Sequence, residues 1–220
     1  MEKIRYFRDS MLKKKEKIIK WLDKYGVENY VINEDLSVDV DGNVLLYSKR
    51  LKGVLPVQFG VVEGNFVCYN NRLTSMVGCP RSVSGHISYF DNALTSFEGC
   101  PSLIVGGFDC SRNLLTTLEG CPSVRGDFNC RGNKFTSLYC CPDIGGSFDC
   151  GYCGLTSLEG CPEQIMGDFD CSCNELTSMI GCPVKVGGDF SCGGNKLIGL
   201  EYCPLNIGGR FFYYNRNGSI

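Results

Sequence analysis

The sequence predicts an α/β repeat protein, a solenoid with a parallel β-sheet on one face and a helix plus a β-hairpin as its N-terminal cap. Three observations lead to this prediction. A Cys-Pro pair returns every 20 or 21 residues, a Phe-x-Cys phrase precedes most of these pairs, and an amphipathic segment precedes the first unit. A constant period of this length is typical of one short unit stacked on copies of itself. The seven pairs begin at Cys79, Cys100, Cys121, Cys141, Cys161, Cys182 and Cys203.

The first predicted element is a helix over residues 3–25. Its apolar residues recur at steps of three, four and seven positions, which places them on one helical face, and lysines occupy the opposite face. Gly26 is the expected helix end. A solenoid needs such a cover because its first unit would otherwise expose its core. The apolar stripe consists of Ile4, Phe7, Met11, Ile18, Leu22 and Tyr25.

A β-hairpin is predicted over residues 36–46. Apolar and polar residues alternate on both sides of Asp41-Gly42, a residue pair that is typical of a tight hairpin turn. Val44 and Leu46 also resemble the strand of a degenerate first repeat. The sequence therefore divides into a cap over residues 1–60 and an array of seven to eight units over residues 61–220.

Each unit of the array begins with a predicted strand. Phe128 and Cys130 alternate with polar residues, which is the period of a strand with one buried face. Phe135 and Leu138 then turn back towards the core. An asparagine three residues after the cysteine is expected to bond the backbone of its own bend and of the neighbouring unit. It recurs as Asn71, Asn92, Asn113, Asn133, Asn174, Asn195 and Asn217.

Thirteen of the sixteen cysteines fall into the two repeat positions, Phe-x-Cys and Cys-Pro. Tyr89 and Tyr214 are expected to replace the cysteine of the Phe-x-Cys phrase, and this exchange argues against a disulfide partner. A free cysteine behaves as a small buried hydrophobe, so we expect reduced, packed thiols and a cytoplasmic location. The sequence shows no signal peptide and no membrane-spanning segment. Three thiols outside both positions are candidates for reactivity: Cys140, Cys153 and Cys173.

The repeated phrase resembles the leucine-rich repeat, in particular its short bacterial type, with Phe and Cys where that family usually has Leu or Val. The wording Leu-Thr-Ser-Leu-Glu-Gly-Cys-Pro at residues 155–162 is also similar to small repeat proteins of tailed bacteriophages. The resemblance covers about 150 residues. It implies a leucine-rich-repeat-like solenoid that recognises a ligand, and for a phage-encoded protein it implies a location in the host cytoplasm.

The outward residues of the predicted sheet are the candidate binding surface. Six carboxylates share this face, and aromatic and arginine side chains border them, which are the types that anchor protein interfaces. Like charges on neighbouring strands destabilise a sheet that has no partner. We therefore expect a protein partner that is basic or amphipathic. The candidate residues are Tyr69, Phe90, Asp109, Arg112, Asp127, Arg131, Asp149, Tyr152, Asp168, Asp170 and Asp189.

The distribution of charge bears on the class of partner. Residues 1–25 hold nine basic and four acidic residues, and the remainder holds 13 basic and 20 acidic residues. A net charge of −7 on residues 26–220 does not fit nucleic acid, and the basic helix is better explained as a cap than as a membrane-surface element. Two alternatives remain open: a protein that sequesters a small-molecule or nucleotide signal, and a structural component of a virion.

The sequence predicts neither catalysis, a cofactor nor a metal site. His86 is the only histidine and occupies an outward position, so a Cys-His nucleophile pair is not expected. Cys150, Cys153, Cys171 and Cys173 have the spacing of a zinc site, but their predicted directions do not converge. The aspartates lack the loop motifs of known calcium sites. We therefore expect a recognition protein with no enzymatic activity.

Overall fold

The fold is a parallel β-solenoid of about eight turns preceded by one α-helix. It is taken from a computed structural model that describes residues 2–214, with side chains from residue 9. The side chains of Ile4 and Phe7, and all of Asn217, lie outside the described residues. The predicted parallel sheet and the predicted helix are both present.

The helix α1 spans Glu2–Tyr25 and covers the N-terminal end of the solenoid with its C-terminal half. Leu22 is completely buried, and the ring of Trp21 packs edge-on against Phe59. Gly26 ends the helix in the left-handed region, at φ +70°, where a residue without a Cβ is favoured. The predicted helix end and the covering role of the apolar stripe are thus observed for the residues described.

The hairpin lies earlier in the chain than the sequence predicted. β1 (Tyr30–Ile32) and β2 (Val38–Val40) pair antiparallel, and the turn between them contains Leu36 at φ +68°. The Asp41-Gly42 pair joins strands of two different sheets, so the expected hairpin over residues 36–46 does not form. The prediction was wrong because this turn leads the chain around a corner of the solenoid.

The first face of the solenoid carries one nine-stranded parallel sheet, called the long sheet below. Its strands follow chain order, and each pairs in register with the strand of the next turn, so Phe108 lies beside Phe128. The predicted degenerate first strand is its N-terminal edge. The strands are β3 (Val44–Leu45), β6 (Phe66–Val67), β9 (Ile87–Ser88), β11 (Phe108–Asp109), β13 (Phe128–Asn129), β14 (Phe148–Asp149), β16 (Phe169–Asp170), β18 (Phe190–Ser191) and β20 (Phe211–Phe212).

The remaining faces carry shorter parallel sheets. β1 and β2 continue into a four-stranded sheet with β5 (Phe59–Val62) and β8 (Ser82–Val83). A two-stranded and a three-stranded sheet follow on later turns, and β4 pairs with β7 at the corner after the first strands. These strands are β4 (Lys52–Gly53), β7 (Arg72–Leu73), β10 (Leu103–Ile104), β12 (Ser123–Val124), β15 (Gln164–Ile165), β17 (Lys185–Val186) and β19 (Asn206–Ile207).

A stack of phenylalanines runs under the long sheet, buried in the core except for the exposed last ring, Phe211. Six consecutive rings, one from each turn, lie nearly parallel with centroids 5.3 to 5.7 Å apart. In-register pairing repeats the same side-chain position at each turn, so the rings meet face to face with an offset. The rings are Phe108, Phe128, Phe148, Phe169, Phe190 and Phe211.

The cysteines of the two repeat positions pack in or against the same core, as predicted, and all sixteen cysteines are free. Burial raises the pKa of the thiols at the Phe-x-Cys position, that of Cys192 to about 12, so these thiols remain protonated at neutral pH. The prediction that Tyr214 replaces the cysteine of the last turn was wrong. β20 pairs Phe211 with Phe190, so Tyr213 occupies the cysteine position and Tyr214 points outward beyond it.

The asparagine ladder forms at the bends after six strands of the long sheet. Asn113 donates from Nδ2 to the backbone oxygens of Cys110 and Tyr89, and its Oδ1 accepts the N–H of Leu94. One side chain therefore satisfies backbone groups of two successive turns, which buried polar groups require. Cys153 occupies this position in one unit, where its Sγ lies 3.4 Å from the backbone oxygen of Cys130.

Candidate functional site

The outward side chains of the long sheet form three rows, one residue per turn in each. The capping row precedes the buried phenylalanine, the central row follows it, and the outer row follows the core cysteine. Because the strands pair in register, every predicted binding residue except Arg112 and Tyr152 falls into one of these rows. Arg112 and Tyr152 come one residue later, at a bend position with φ of +51° and +56°.

The central row holds its carboxylates by local hydrogen bonds. Asp149 Oδ1 accepts the N–H of Gly151, and Asp170 Oδ1 accepts the N–H of Ser172, each two residues further on. In the same way, Asp109 Oδ1 accepts the N–H of Ser111, and Asn129 Oδ1 accepts the N–H of Arg131. Asp and Asn favour this arrangement because their short side chains reach the backbone two residues ahead. One oxygen of each carboxylate is therefore structural, and in Asp149 and Asp170 the other oxygen faces Arg131.

The capping row has a role that the sequence analysis missed. Asp127, Asp168 and Asp189 each accept, through Oδ1, a backbone N–H of the next turn at 2.7 Å. In the first two turns the same bond is accepted by Asn43 and Asn65. The predicted carboxylates of this row therefore hold adjacent turns together, and the asparagines at the same position were the sequence signal for this role.

Arg131 is at the centre of the outward face. Its Nη1 lies 3.6 Å from Asp149 Oδ2 and 3.3 Å from Asp170 Oδ2, and its guanidinium lies 4.2 Å from the centre of the Tyr152 ring. Gly151 makes this reach possible, because a Cβ there would come within 2.9 Å of Nη1. The structure thus brings four predicted residues together in one ion-paired cluster.

Burial and charge act in opposite directions on Asp149. Removal from water raises the pKa of this carboxyl above its ordinary value, and the neighbouring Asp170 raises it further. The Gly151 N–H and the Arg131 guanidinium lower it in part. The side chain of Asp149 is only 29% exposed, which explains why the loss of water raises the pKa of its carboxyl.

The outer row begins with stacked aromatic side chains. Tyr47 and Tyr69 lie parallel with ring centres 5.0 Å apart, and Phe90 meets Tyr69 edge-on at 6.4 Å. The guanidinium of Arg112 lies 5.4 Å from the centre of Phe90. Tyr47 was not predicted, although its place one residue after Leu46 matches that of Tyr69 after Cys68. These four residues are called the aromatic row below.

A shallow depression of about 310 Å³ lies beside the Arg131 cluster. It is bordered by the acidic side chains Asp127, Asp149, Asp168 and Asp170. Asp127 and Asp168 use Oδ1 for the next turn, and in the described part of the chain no cation pairs with either. Their charge is therefore available to a ligand. Asp189 differs, because Arg210 pairs with its Oδ2 at 2.9 Å.

The three thiols outside the repeat positions lie in different surroundings. Cys140 is exposed, Cys153 is buried and Cys173 is half-buried. Cys173 Sγ lies 3.7 Å from the hydroxyl of Tyr214, and hydrogen bonding to this thiol raises the pKa of Tyr214 and of Tyr152. Hydrogen bonding from Cys130 lowers the pKa of Cys153. The corrected register of Tyr214 is what places its ring over Gly193 and beside Cys173.

Residues 2–214 contain no group of three or more His, Cys, Asp or Glu side chains that could hold a metal ion. His86 accepts the N–H of Gly107 through Nδ1 at 2.9 Å and so belongs to the capping row. Within the same range, no helix is long and apolar enough to cross a lipid bilayer.

Comparison of the chain with protein-family models, with curated proteins and with solved structures gives no match. The geometry of the outward face is therefore what bears on function.

Proposed function

We propose that the chain is a leucine-rich-repeat-like recognition protein of the short bacterial or bacteriophage type, without enzymatic activity of its own. In this proposal it binds a protein partner through the outward face of the long sheet. If the protein is phage-encoded, the partner is a host protein whose action the binding modulates or blocks, in the host cytoplasm. The free, packed cysteines support a reducing compartment.

The observation that carries the proposal is the aromatic row beside the acidic depression. Tyr47 is 41% exposed, Tyr69 and Phe90 are half-buried, and Arg112 is exposed, although none of these side chains fills the core. Their mutual stacking fixes their positions before a partner arrives, which lowers the entropy lost on binding. Tyrosine and arginine in such positions are the residue types that dominate interface energies.

The charge of the face indicates the chemistry of the partner. Asp127 and Asp168 present unpaired carboxylates at the depression, and the aromatic row offers apolar surface further along the same sheet. A segment with basic and apolar side chains would match both parts. Opposite charges across an interface speed association and select the partner more than they increase affinity.

The same contacts make a nucleotide signal a weaker candidate. A phosphate would need a cation, and Arg131 already pairs with Asp149 and Asp170, which leaves Arg112, beside Phe90, to meet the anion. The unpaired carboxylates beside Arg131 would repel an anion. The virion component, the other alternative, predicts that the protein co-purifies with particles and is not recovered with a soluble partner.

The experiment is affinity capture from a bacterial lysate with three forms of the full chain. D127N with D168N removes two charges and keeps the Oδ1 acceptor, since Asn43 and Asn65 make the same bond in earlier turns. D39N is the matched control, because Asp39 Oδ1 accepts the Val61 N–H on a different sheet. The bound proteins are quantified by mass spectrometry.

We expect one partner to be recovered equally by wild type and D39N and roughly twofold to thirtyfold less by the double variant, since each exposed charge pair contributes about 0.2–1 kcal/mol. Tyr69→Ser together with Phe90→Ser should reduce recovery further. Equal recovery by all forms would exclude this face as the binding surface. Recovery of particles alone would favour the virion component.

A further inference from the structure

A second concave site lies away from the long sheet, between α1 and the first turns of the solenoid. It is a groove of about 410 Å³, a volume in the range of small-molecule sites. Ile18 and Trp21 line it from the helix, and Leu36, Pro56 and Val57 line it from the opposite side. The walls are therefore mostly apolar, and Trp21 is half-buried rather than covered.

Two lysines lie at the rim of this groove. Lys14 and Lys17 are exposed and line it from one side of α1. Among the described side chains neither lysine has an ion pair. One carboxylate, Asp35, also borders the groove, but its charge is balanced by Arg81 at 2.8 Å. The rim therefore has an excess of positive charge over an apolar floor.

From this combination we propose that the groove binds a small amphipathic anion, an unbranched alkyl carboxylate of medium length. The alkyl chain would lie on Ile18, Leu36 and Val57, and the carboxylate would meet Lys14 and Lys17 at the rim. Burial of the alkyl chain supplies most of the affinity, and the lysines orient the ligand. This site is independent of the proposed recognition face, so either proposal can fail alone.

The walls favour an alkyl chain over an aromatic ring. The ring of Trp21 already contacts Tyr25 at 4.7 Å and Phe59 at 6.4 Å between centroids, so part of its surface is used within the fold. The other apolar lining side chains, Ile18, Leu36, Pro56 and Val57, are aliphatic and offer no flat partner for stacking. A flexible chain adapts to such walls, whereas a rigid ring cannot change its shape to follow them.

Trp21 makes the test specific, because it is the only tryptophan of the chain. The full-length protein is titrated with octanoate below its micelle-forming range, and the emission of Trp21 is followed. Octanol and octylamine provide the same chain with a neutral and a cationic head, and 2-naphthoate provides an aromatic anion. We expect a saturable change with octanoate, at a Kd of about 10 μM to 1 mM, and weaker binding of the other three.

Charge reversal at the rim provides the decisive comparison. Lys14→Glu with Lys17→Glu should weaken octanoate binding about tenfold or more and strengthen octylamine binding. Lys13→Glu with Lys20→Glu changes the net charge of the same helix equally, outside the groove, and should leave the titration unchanged. Circular dichroism and thermal unfolding check that each variant folds. The proposal is overturned if octanoate leaves the emission unchanged, if naphthoate binds more tightly, or if both double variants behave alike.

Discussion

Arg131 Nη1 lies 3.3 Å from Oδ2 of Asp170, although Asp170 belongs to a strand two turns further along the long sheet. The guanidinium crosses the intervening turn above Gly151 and also pairs with Asp149 on the way. A single side chain therefore bridges three successive turns. It also reduces the repulsion between two carboxylates that in-register pairing places on adjacent strands.

Arg131→Met should destabilise the solenoid by about 1–2 kcal/mol. Methionine keeps apolar packing against Tyr152 but leaves Asp149 and Asp170 facing each other without a cation. The paired groups are only partly buried, which limits the loss. Urea unfolding measures the change. Adding Asp170→Asn should restore part of it, whereas Arg112→Met, which removes only the contact with Phe90, should cost about 0.5 kcal/mol. Equal losses for the two arginines would contradict the bridging role.

Asp149→Asn should become more stabilising as the pH rises. Asparagine keeps the acceptor for the Gly151 N–H, as Asn129 does one turn earlier, and removes a carboxylate whose folded-state pKa is raised by burial. Below pH 3.8 the carboxyl is protonated in both states and the variant gains nothing. As the pH rises through the raised folded-state pKa, the wild type loses stability relative to the variant, and the difference is largest at neutral pH. Unfolding curves at pH 3 to 7 test this.

The control for that pH series is Asp39→Asn. The hydrogen bond from the Val61 N–H is the main cause that lowers the pKa of Asp39. Its carboxylate therefore stabilises the fold at neutral pH, and this stability is lost as the pH falls through the folded-state pKa. The stability of this variant relative to wild type should therefore decrease with rising pH. Parallel pH profiles for the two variants would refute the assignment of opposite pKa shifts.

Cys153→Asn should stabilise the protein by about 1 kcal/mol. Cysteine interrupts the asparagine ladder, and its thiol has no oxygen to accept the Phe135 N–H in the way that Asn133 accepts the Leu115 N–H. Thermal unfolding measures the gain. The reverse change, Asn174→Cys, removes the acceptor of the backbone N–H groups of Cys153 and Leu155 and should lower stability by about 2 kcal/mol or more. A loss of stability in both variants would show that the surroundings of residue 153 fit a cysteine better than an asparagine.

Cys140→Gly should stabilise the chain by about 0.5–1 kcal/mol. Cys140 lies at φ +64°, at the position before Cys-Pro where five other units have glycine in the same left-handed region. A Cβ is unfavourable there, and glycine removes that strain. Cys140→Ala is the control, because it removes the thiol but keeps the Cβ, and it should leave stability unchanged. An equal gain from alanine would attribute the effect to the thiol instead.

Much of the fold could be predicted from particular residues. The Phe-x-Cys phrase at Phe128 identified a strand with one buried face, and the asparagine at 133 identified the ladder that closes the bend. The hairpin was misplaced because Asp41-Gly42 has the composition of a hairpin turn in a chain that turns a corner instead. The assignment of Tyr214 failed because spacing alone could not distinguish Tyr213 from Tyr214 after the last Phe-Phe pair.

The candidate site was predictable only in part. The two-residue period placed most of the candidate residues on the outward face, because it fixes which side chains of a strand share a face. The capping bonds of Asp127 and Asp168 and the reach of Arg131 across Gly151 depend on distances between turns, which the repeat does not specify. The groove beside Trp21 could not be predicted from the sequence for the same reason, since its walls come from segments that are far apart in the chain.

The sequence by itself determined that this protein stacks like turns in register, because a 20- or 21-residue period repeats the same apolar and asparagine positions at each turn. Only the tertiary structure decided which of the outward charges are free to act. Asp189 pairs with Arg210, and Asp149 and Asp170 share Arg131. Asp127 and Asp168 have no cation paired with them among the described residues. The reason is physical: a carboxylate is free or paired according to which side chain reaches it from another turn, and that reach is a property of the packed solenoid.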